Sequence, residues 1–326
     1  MANHVKIATV APPAVTETPP DDFEQAVRQM SAFWREQLDT VLPDRPDVIV
    51  LPECCDRFAR HSRDQQRDYY RFRGDRIRDM FAQIAREHGC YIAYSAVRQA
   101  EGGTFLNSTQ LIDRQGDIAG VYHKNHITIY EGQDSGILCG AEPAVVETDF
   151  GRVGFAICFD LNFDPLREQY KTLRPDLILF SSMYHGGLMQ AYWAYSCRCH
   201  LATAVPGRPS GVINPVGEPL GMTTNYYSFR TVTANLDCQV IHIDCNGVKF
   251  ADIKRKYGPR VSIFDPGHLG AVLLTSEADD LTVDDVIADF ELERIDDYFD
   301  RALRYQNDPA HIEGGRSRSG IGAQAR

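Results

Sequence analysis

Three reactive side chains stand at the ends of apolar runs in this sequence of 326 residues. Glu53 follows VIVLP, Lys124 follows IAGVYH and Cys158 follows GRVGFAI. Each run reads as a buried strand, so the three can meet at one edge of a sheet, where sites in α/β proteins are built. Their chemistry is complementary. A free thiol titrates near about 8.5 and attacks as the thiolate. A neighbouring ammonium stabilises that thiolate, and a neighbouring carboxylate takes its proton. The same carboxyl group can then hand the proton to a leaving amine. The ammonium, with the backbone N–H just after the nucleophile, can hold a tetrahedral oxyanion. Taken singly, the glutamate reads as a loop residue, the lysine as surface and the cysteine as core. Together they form a complete nucleophilic site.

Positioning them falls to elements of two hydrophobic periods. VKIATV (5–10), DVIVL (47–51) and CYIAYSAV (90–97) read as strands. The second is a continuous apolar run, as expected of a strand buried on both faces. Phe23, Ala26, Val27, Met30 and Trp34 recur at helical spacing. So do Ile77, Met80, Phe81, Ile84 and Ala85, with Gly89 where a helix stops. From Thr104 onward TFLNSTQLI and IAGVYHK predict a hairpin, and VVETDFGRVGFAIC predicts another that turns at Phe150-Gly151-Arg152. A helix over 166–173 leads into a strand over 176–182, and a further helix covers 188–200. LATAV, GVINP, TVTANL and QVIHID complete the strands.

This mixture of βα units and hairpins predicts a mixed α/β (α+β) protein with two sheets and helices on their outer faces. With no internal repeat or low-complexity linker, residues 1–272 read as one domain and 273–326 as a C-terminal extension. In the extension, Ile295, Tyr298, Phe299 and Ala302 predict an amphipathic helix over 292–305, ending near Asn307-Asp308-Pro309. Its apolar stripe must be buried on the body or on a second subunit. The final IEGGRSRSGIGAQAR is small and polar and reads as disordered.

The net charge of −11 excludes a dedicated nucleic-acid or anionic-membrane binder, whose footprint is basic. No apolar run approaches the roughly 20 residues that span a bilayer. MANHVKIATVAPPAV has no basic stretch followed by an apolar one, so a cytoplasmic protein is expected. Nine cysteines, odd in number and irregularly spaced, fit reduced thiols and not a disulfide framework.

VIVLPE, Tyr122-His123-Lys124-Asn125-His126 and GFAICFD, in that order, resemble the three motifs of the nitrilase superfamily, the carbon–nitrogen hydrolases, over roughly residues 5–245. That resemblance implies a Glu–Lys–Cys triad of Glu53, Lys124 and Cys158. It also implies a four-layer αββα sandwich with two mixed β-sheets, carrying here a C-terminal helical tail, and pairing of subunits through helices. A second glutamate lies between the lysine and the cysteine in amidase-like members. Glu131 stands at that place and would position the lysine and the attacking atoms, with Glu142 as the fallback. His123 stands where an arginine is more common, Asn162 where an arginine often follows the cysteine, and Asp164-Pro165 where Pro-Glu is usual. Phe-Asp after the cysteine, instead of the Trp-Glu of true nitrilases, points to an amide or N-carbamoyl substrate.

Ser181–Gly187 borders the pocket in the resembling family, so Tyr184 and His185, with Phe159 and Asn162, are the expected substrate contacts. Arg167 is placed on the helix. Cys197, Cys199 and His200 lack a second ligand pair, so no metal is expected. Cys54 and Cys55 read as packing residues that can line the pocket, and His126 as a residue that orients the lysine loop. The expected protein is a thiol hydrolase of a non-peptide linear C–N bond with no cofactor, acting as a homodimer or larger homo-oligomer. Its partners would be a small-molecule amide substrate, with no nucleic acid and no membrane. The alternatives are an acyl or amidine transferase on the same triad, and a catalytically silent small-ligand-binding homologue.

Overall fold

The computed structural model describes residues 1–16, 19–20 and 22–313. It divides into two compact units, one of Asn3–Leu236 and one of Met1–Ala2 with the chain from Asp237 onward.

The large unit contains two sheets of the same plan. The first runs Phe229–Asn235, His4–Val10, Val48–Val50, Tyr91–Gln99, Phe105–Ile112, Ile118–His123, with Ile137–Leu138 also pairing to Phe105–Ile112. The second runs Pro219–Met222, Gly211–Ile213, His200–Ala204, Leu177–Ser181, Gly151–Ile157, Val145–Thr148. In each, three adjacent strands are parallel and the flanking ones are antiparallel. Parallel strands are buried on both faces, which explains the unbroken apolar runs of the sequence. Both predicted hairpins form, between Phe105–Ile112 and Ile118–His123 and between Val145–Thr148 and Gly151–Ile157.

Alternate side chains leave opposite faces of a strand, and each sheet therefore feeds two cores. Ile7, Val48, Val50, Tyr91, Phe155, Ile157, Leu179 and Ala202 fill the layer between the sheets. On the outer face of the first sheet, Ile49, Leu51, Ile92 and Tyr94 pack with Met30, Trp34, Ile77 and Phe81. These last come from the helices Phe23–Leu38, capped by the Asp22 side chain, and Arg76–His88, closed by Gly89 in the left-handed region. On the outer face of the second sheet, Ile178, Phe180 and Leu201 pack with Leu166, Tyr170 and Trp193 of the helices Asp164–Leu173 and Leu188–Cys197. The order of layers is helix, sheet, sheet, helix.

Two expectations shift. The helix drawn to residue 200 stops at Cys197, because Arg198 turns left-handed at φ +57° and His200 opens a strand. The domain line drawn at 272/273 lies at 236/237, because Cys238–His242 pairs with Ala271–Ser276, which in turn pairs with Val261–Phe264, and none of the three joins a large sheet. Helices Phe250–Tyr257, Val283–Asp289 and Ile295–Asn307 belong to this second unit, whose core includes Ile241, Ile253, Leu274 and Val286. The C-terminal helix lies on its own unit: Ile295 is buried, and Tyr298 stacks on His242 at 4.1 Å and donates to Asp244. The expectation for the polar tail beyond residue 313 lies outside the described residues. No helix among the described residues is long and apolar enough to cross a membrane.

Candidate active site

Pro52 cannot extend the strand ladder, so the chain leaves Val48–Val50 and turns Glu53 inward. Its carboxylate is 4% exposed and saturated with donors. Oε1 accepts from Lys124 Nζ at 2.7 Å and Asn107 Nδ2 at 2.8 Å, and Oε2 accepts from the Met183 backbone N–H at 3.0 Å. Lys124 follows the strand Ile118–His123, and its backbone N–H donates to Asn107 O at 2.8 Å, fixing it beside the neighbouring strand. Its ammonium is fully enclosed and also reaches Glu131, at 3.0 Å from Oε1 and 2.9 Å from Oε2.

Glu131 is held by a reciprocal cap on the helix Ile129–Ser135. Its side chain accepts from Thr128 N at 2.8 Å while Thr128 Oγ1 accepts from Glu131 N at 3.2 Å. Asn107 Nδ2 touches it too, at 3.1 Å. Burial opposes the Lys124 charge, but Glu53, Cys158 and Glu131 hold the ammonium well above the ordinary lysine range. Burial likewise works to raise the Glu131 carboxyl, yet Lys124 keeps it below its usual value. Glu142, the fallback, is exposed and is not bonded to this cluster.

Cys158 begins a single 3-10 turn, Cys158–Asn162, at the end of the strand Gly151–Ile157. Its φ is +50°, a region costly for any side chain with a Cβ. Such a conformation persists only where its surroundings impose it, and Asp160 does so here. Fully buried, Asp160 accepts from Ile157 N at 2.9 Å and Tyr122 Oη at 2.8 Å through Oδ2. Through Oδ1 it accepts from His126 N at 2.9 Å, with His126 Nδ1 at 3.1 Å. One carboxylate thus ties the Cys158 turn to both sides of the lysine loop. Asp160→Ala leaves several donors unpaired and is expected to lower stability by about 3 kcal/mol, with kcat falling alongside. Urea midpoints and initial rates measure both, and an unchanged midpoint would contradict the tie.

Burial pushes the Cys158 thiol up to about 12. The Glu53 charge adds to this, while the Lys124 charge works the other way. The resting group at neutral pH is therefore a thiol, in the field of the carboxylate that would take its proton. Alkylation of Cys158 by iodoacetamide, read by peptide mapping with exposed Cys139 as reference, is expected to climb from pH 7 to 10 without levelling. A plateau near about 8.5 would mark an ordinary thiol.

Of the expected substrate contacts, Phe159 lies on the surface beside Cys158, 36% exposed. Asn162 Nδ2 donates to Phe159 O and to Tyr184 Oη, both at 3.0 Å, so Asn162 and Tyr184 are bonded to each other. His185 Nδ1 accepts from Gly187 N at 3.2 Å, and its Nε2 is buried without a partner among the described residues. The loop carrying them is joined to the other sheet by Ser181 Oγ, which donates to Leu51 O at 2.7 Å.

The remaining candidates lie elsewhere. Cys54 and Cys55 are buried, their thiols pushed far up chiefly by burial. His123 pairs with Ser108 Oγ at 2.7 Å, and His126 stacks on Phe163 at 4.0 Å. Arg167, on its helix as expected, pairs with Asp164 and Glu168. His200 is a buried strand residue, its pKa lowered by burial to about 4. Among the described residues no group of three or more histidines, cysteines and acids is placed to hold a metal. Asn107 and Asp160 were not assigned roles from sequence. The signal for Asn107 was the polar run Asn107–Gln110 inside a strand, which only a polar environment or bonded partners can accommodate.

A family model described as carbon–nitrogen hydrolase matches residues 7–221. An omega-amidase, NIT2, of Danio rerio is 23% identical over 218 residues, covering 60% of this chain and 77% of its own. The solved amidase from Nesterenkonia sp. superposes with a TM-score of 0.56 at 18% identity, covering 72% of this chain and 92% of that one. Nit3 of Saccharomyces cerevisiae, described as a member of branch 10 of the nitrilase superfamily, gives 0.57 at 17% identity over 72% and 90%. At such identities the structural likeness speaks for the fold.

Proposed function

The chain belongs to the carbon–nitrogen hydrolase family, and from that premise we propose that it hydrolyses a small linear, non-peptide amide through a thioester on Cys158. The observation that carries this reading is a buried lysine bonded to Glu53 at 2.7 Å and to Glu131 at 2.9 Å, with the charges of Glu53 and Lys124 both acting on the strand-end Cys158 thiol. In the first half-reaction Glu53 takes the thiol proton as Sγ attacks the amide carbon. Lys124 Nζ and the Phe159 backbone N–H face the oxyanion. The C–N bond breaks, and the nitrogen leaves as ammonia or an amine with the proton from Glu53. In the second, Glu53 takes a proton from water, with Glu131 holding the lysine in place. The water oxygen attacks the thioester, the C–S bond breaks, and sulfur recovers its proton. Neither half requires a metal or an organic cofactor. Free thiols among the described cysteines support a cytoplasmic setting, and the family resemblance supports a homo-oligomer.

Intact-protein mass spectrometry after brief exposure to small amides and N-carbamoyl amino acids tests the reading. An acyl-sized gain in mass on the native protein, absent from Cys158→Ala, is the expected result. Turnover without any adduct, retained by Cys158→Ala, would sink it.

A further inference from the structure

Asn107 lies on the strand Phe105–Ile112 and is 1% exposed. Its backbone carbonyl accepts from the Lys124 N–H at 2.8 Å. Its side-chain nitrogen carries two hydrogens, and a carboxylate stands in reach of each: Glu53 Oε1 at 2.8 Å and Glu131 Oε1 at 3.1 Å. The other end of the amide differs. Asn107 Oδ1 is buried and has no hydrogen-bond partner among the described residues. A buried acceptor left unmatched is costly, so stability alone does not account for this side chain. Turning the amide over would set Oδ1 against both carboxylates, and the two glutamates therefore fix which end faces them.

These bonds divide the oxygens of Glu53 between the two sheets. Oε1 accepts from Lys124 and Asn107, one just after and one within strands of the first sheet, and two donors fill its lone-pair positions. Among nitrogen donors of the described residues, Oε2 takes the Met183 backbone N–H, at 3.0 Å. Met183 comes two residues after Ser181, and Ser181 pairs with Ile157, the residue before Cys158. The open position of the carboxylate is thus on the oxygen that faces the strand of Cys158. Asn107 also donates to Glu131, one of the contacts that keep that carboxyl below its usual value. It does so without charge. A cation at the same place would compete with the thiol's proton for Glu53.

We propose that Asn107 is a positioning residue of this site: its amide nitrogen fills Glu53 Oε1, so that the Cys158 proton goes to Oε2, and it holds Glu131 against Lys124. The S–H proton moves to Oε2 while the sulfur's electron pair forms the bond to the amide carbon, and Oε2 later gives that proton to the leaving nitrogen. This rests on the hydrolase reading above.

The test uses Asn107→Asp, which keeps the shape of the side chain but donates only when protonated. Initial rates with butyramide and N-carbamoylglycine are measured from pH 5 to pH 8. The variant is expected to fall about 100-fold behind native protein in kcat at pH 8 and about 10-fold at pH 5, where the introduced carboxyl regains a hydrogen, with KM little changed. A deficit that stays constant over this range would mean that Asn107 only packs the strand, and would overturn the role. A second variant needs no turnover. In native protein and Asn107→Leu carrying carbon-13 glutamate, the Glu131 carboxyl, assigned through Glu131→Gln, is expected to titrate higher in Asn107→Leu by about half a unit or more. Neither probe turned over by native protein, with Glu131 so moved, sinks the hydrolase and keeps Asn107 as the residue that holds the glutamates. Turnover with a constant deficit and an unmoved Glu131 does the reverse.

Discussion

Cys158→Ala is expected to lower turnover by at least about 10⁴-fold while the protein stays folded. The substitution removes the one atom that would form the proposed covalent intermediate, and nothing in reach replaces it. Cys54 is the adjacent alternative, but its thiol is buried and is held far above the usual range. The structural cost is small. Alanine keeps the left-handed turn, which Asp160 imposes from outside the residue. Glu53 keeps its bonds from Lys124, Asn107 and the Met183 N–H. A stability change within about 1 kcal/mol is expected. Initial rates with any turned-over amide, beside a urea unfolding curve, decide both parts. Residual activity above that level would place the nucleophile elsewhere.

Lys124→Met carries the second large effect, and it strikes function and stability together. The ammonium is the proposed oxyanion donor, and losing one such donor costs about 10²–10³ in kcat. It is also the shared counter-ion of two carboxylates. Removing one partner of a buried pair leaves uncompensated charge, at a cost of about 3–5 kcal/mol. The pH dependence follows. In the native protein Glu131 sits below its usual value against the opposition of burial, through Lys124, and that stability is lost as pH falls through the folded value. In the variant, Glu53 and Glu131, still bridged by Asn107 Nδ2, cannot both stay ionised, so one carboxyl is raised. A raised carboxyl favours the fold below the unfolded value and disfavours it as pH rises. Both terms widen the gap between native protein and variant from pH 5 to pH 8. Denaturant midpoints at the two pH values measure it, and a gap that is constant or narrows toward pH 8 refutes the shared counter-ion.

The acid, the lysine and the thiol were legible because each follows an apolar run long enough to mark a strand. Glu131 was legible only through the family resemblance, since a glutamate three residues after a threonine signals a helix cap wherever it occurs. That cap is present, and the same side chain holds the lysine. Asp160 was read within its motif without a role, because its bonds reach Tyr122 and His126, far off in sequence. The helix Arg63–Arg73 was missed because RDQQRDYYRFR shows no apolar stripe, although it buries Tyr69, Tyr70 and an ion-paired Arg73. The second unit was misdrawn because QVIHID has the pattern of any core strand, and pairing decides which sheet takes it.

The two sheets of the large unit share one plan, yet the site belongs to neither alone. Glu53 and Lys124 follow strands of the first, Cys158 a strand of the second. The first sheet is also completed late, by Phe229–Asn235 pairing back onto His4–Val10. A chain emerging from the ribosome therefore presents Glu53 and Lys124 before Cys158, and its first strand, paired early with Val48–Val50, waits for its second partner near the end of the unit. Until the layers close, Cys158 stands apart from Glu53 and Lys124, and its thiol has the ordinary acidity that burial in the closed unit takes away.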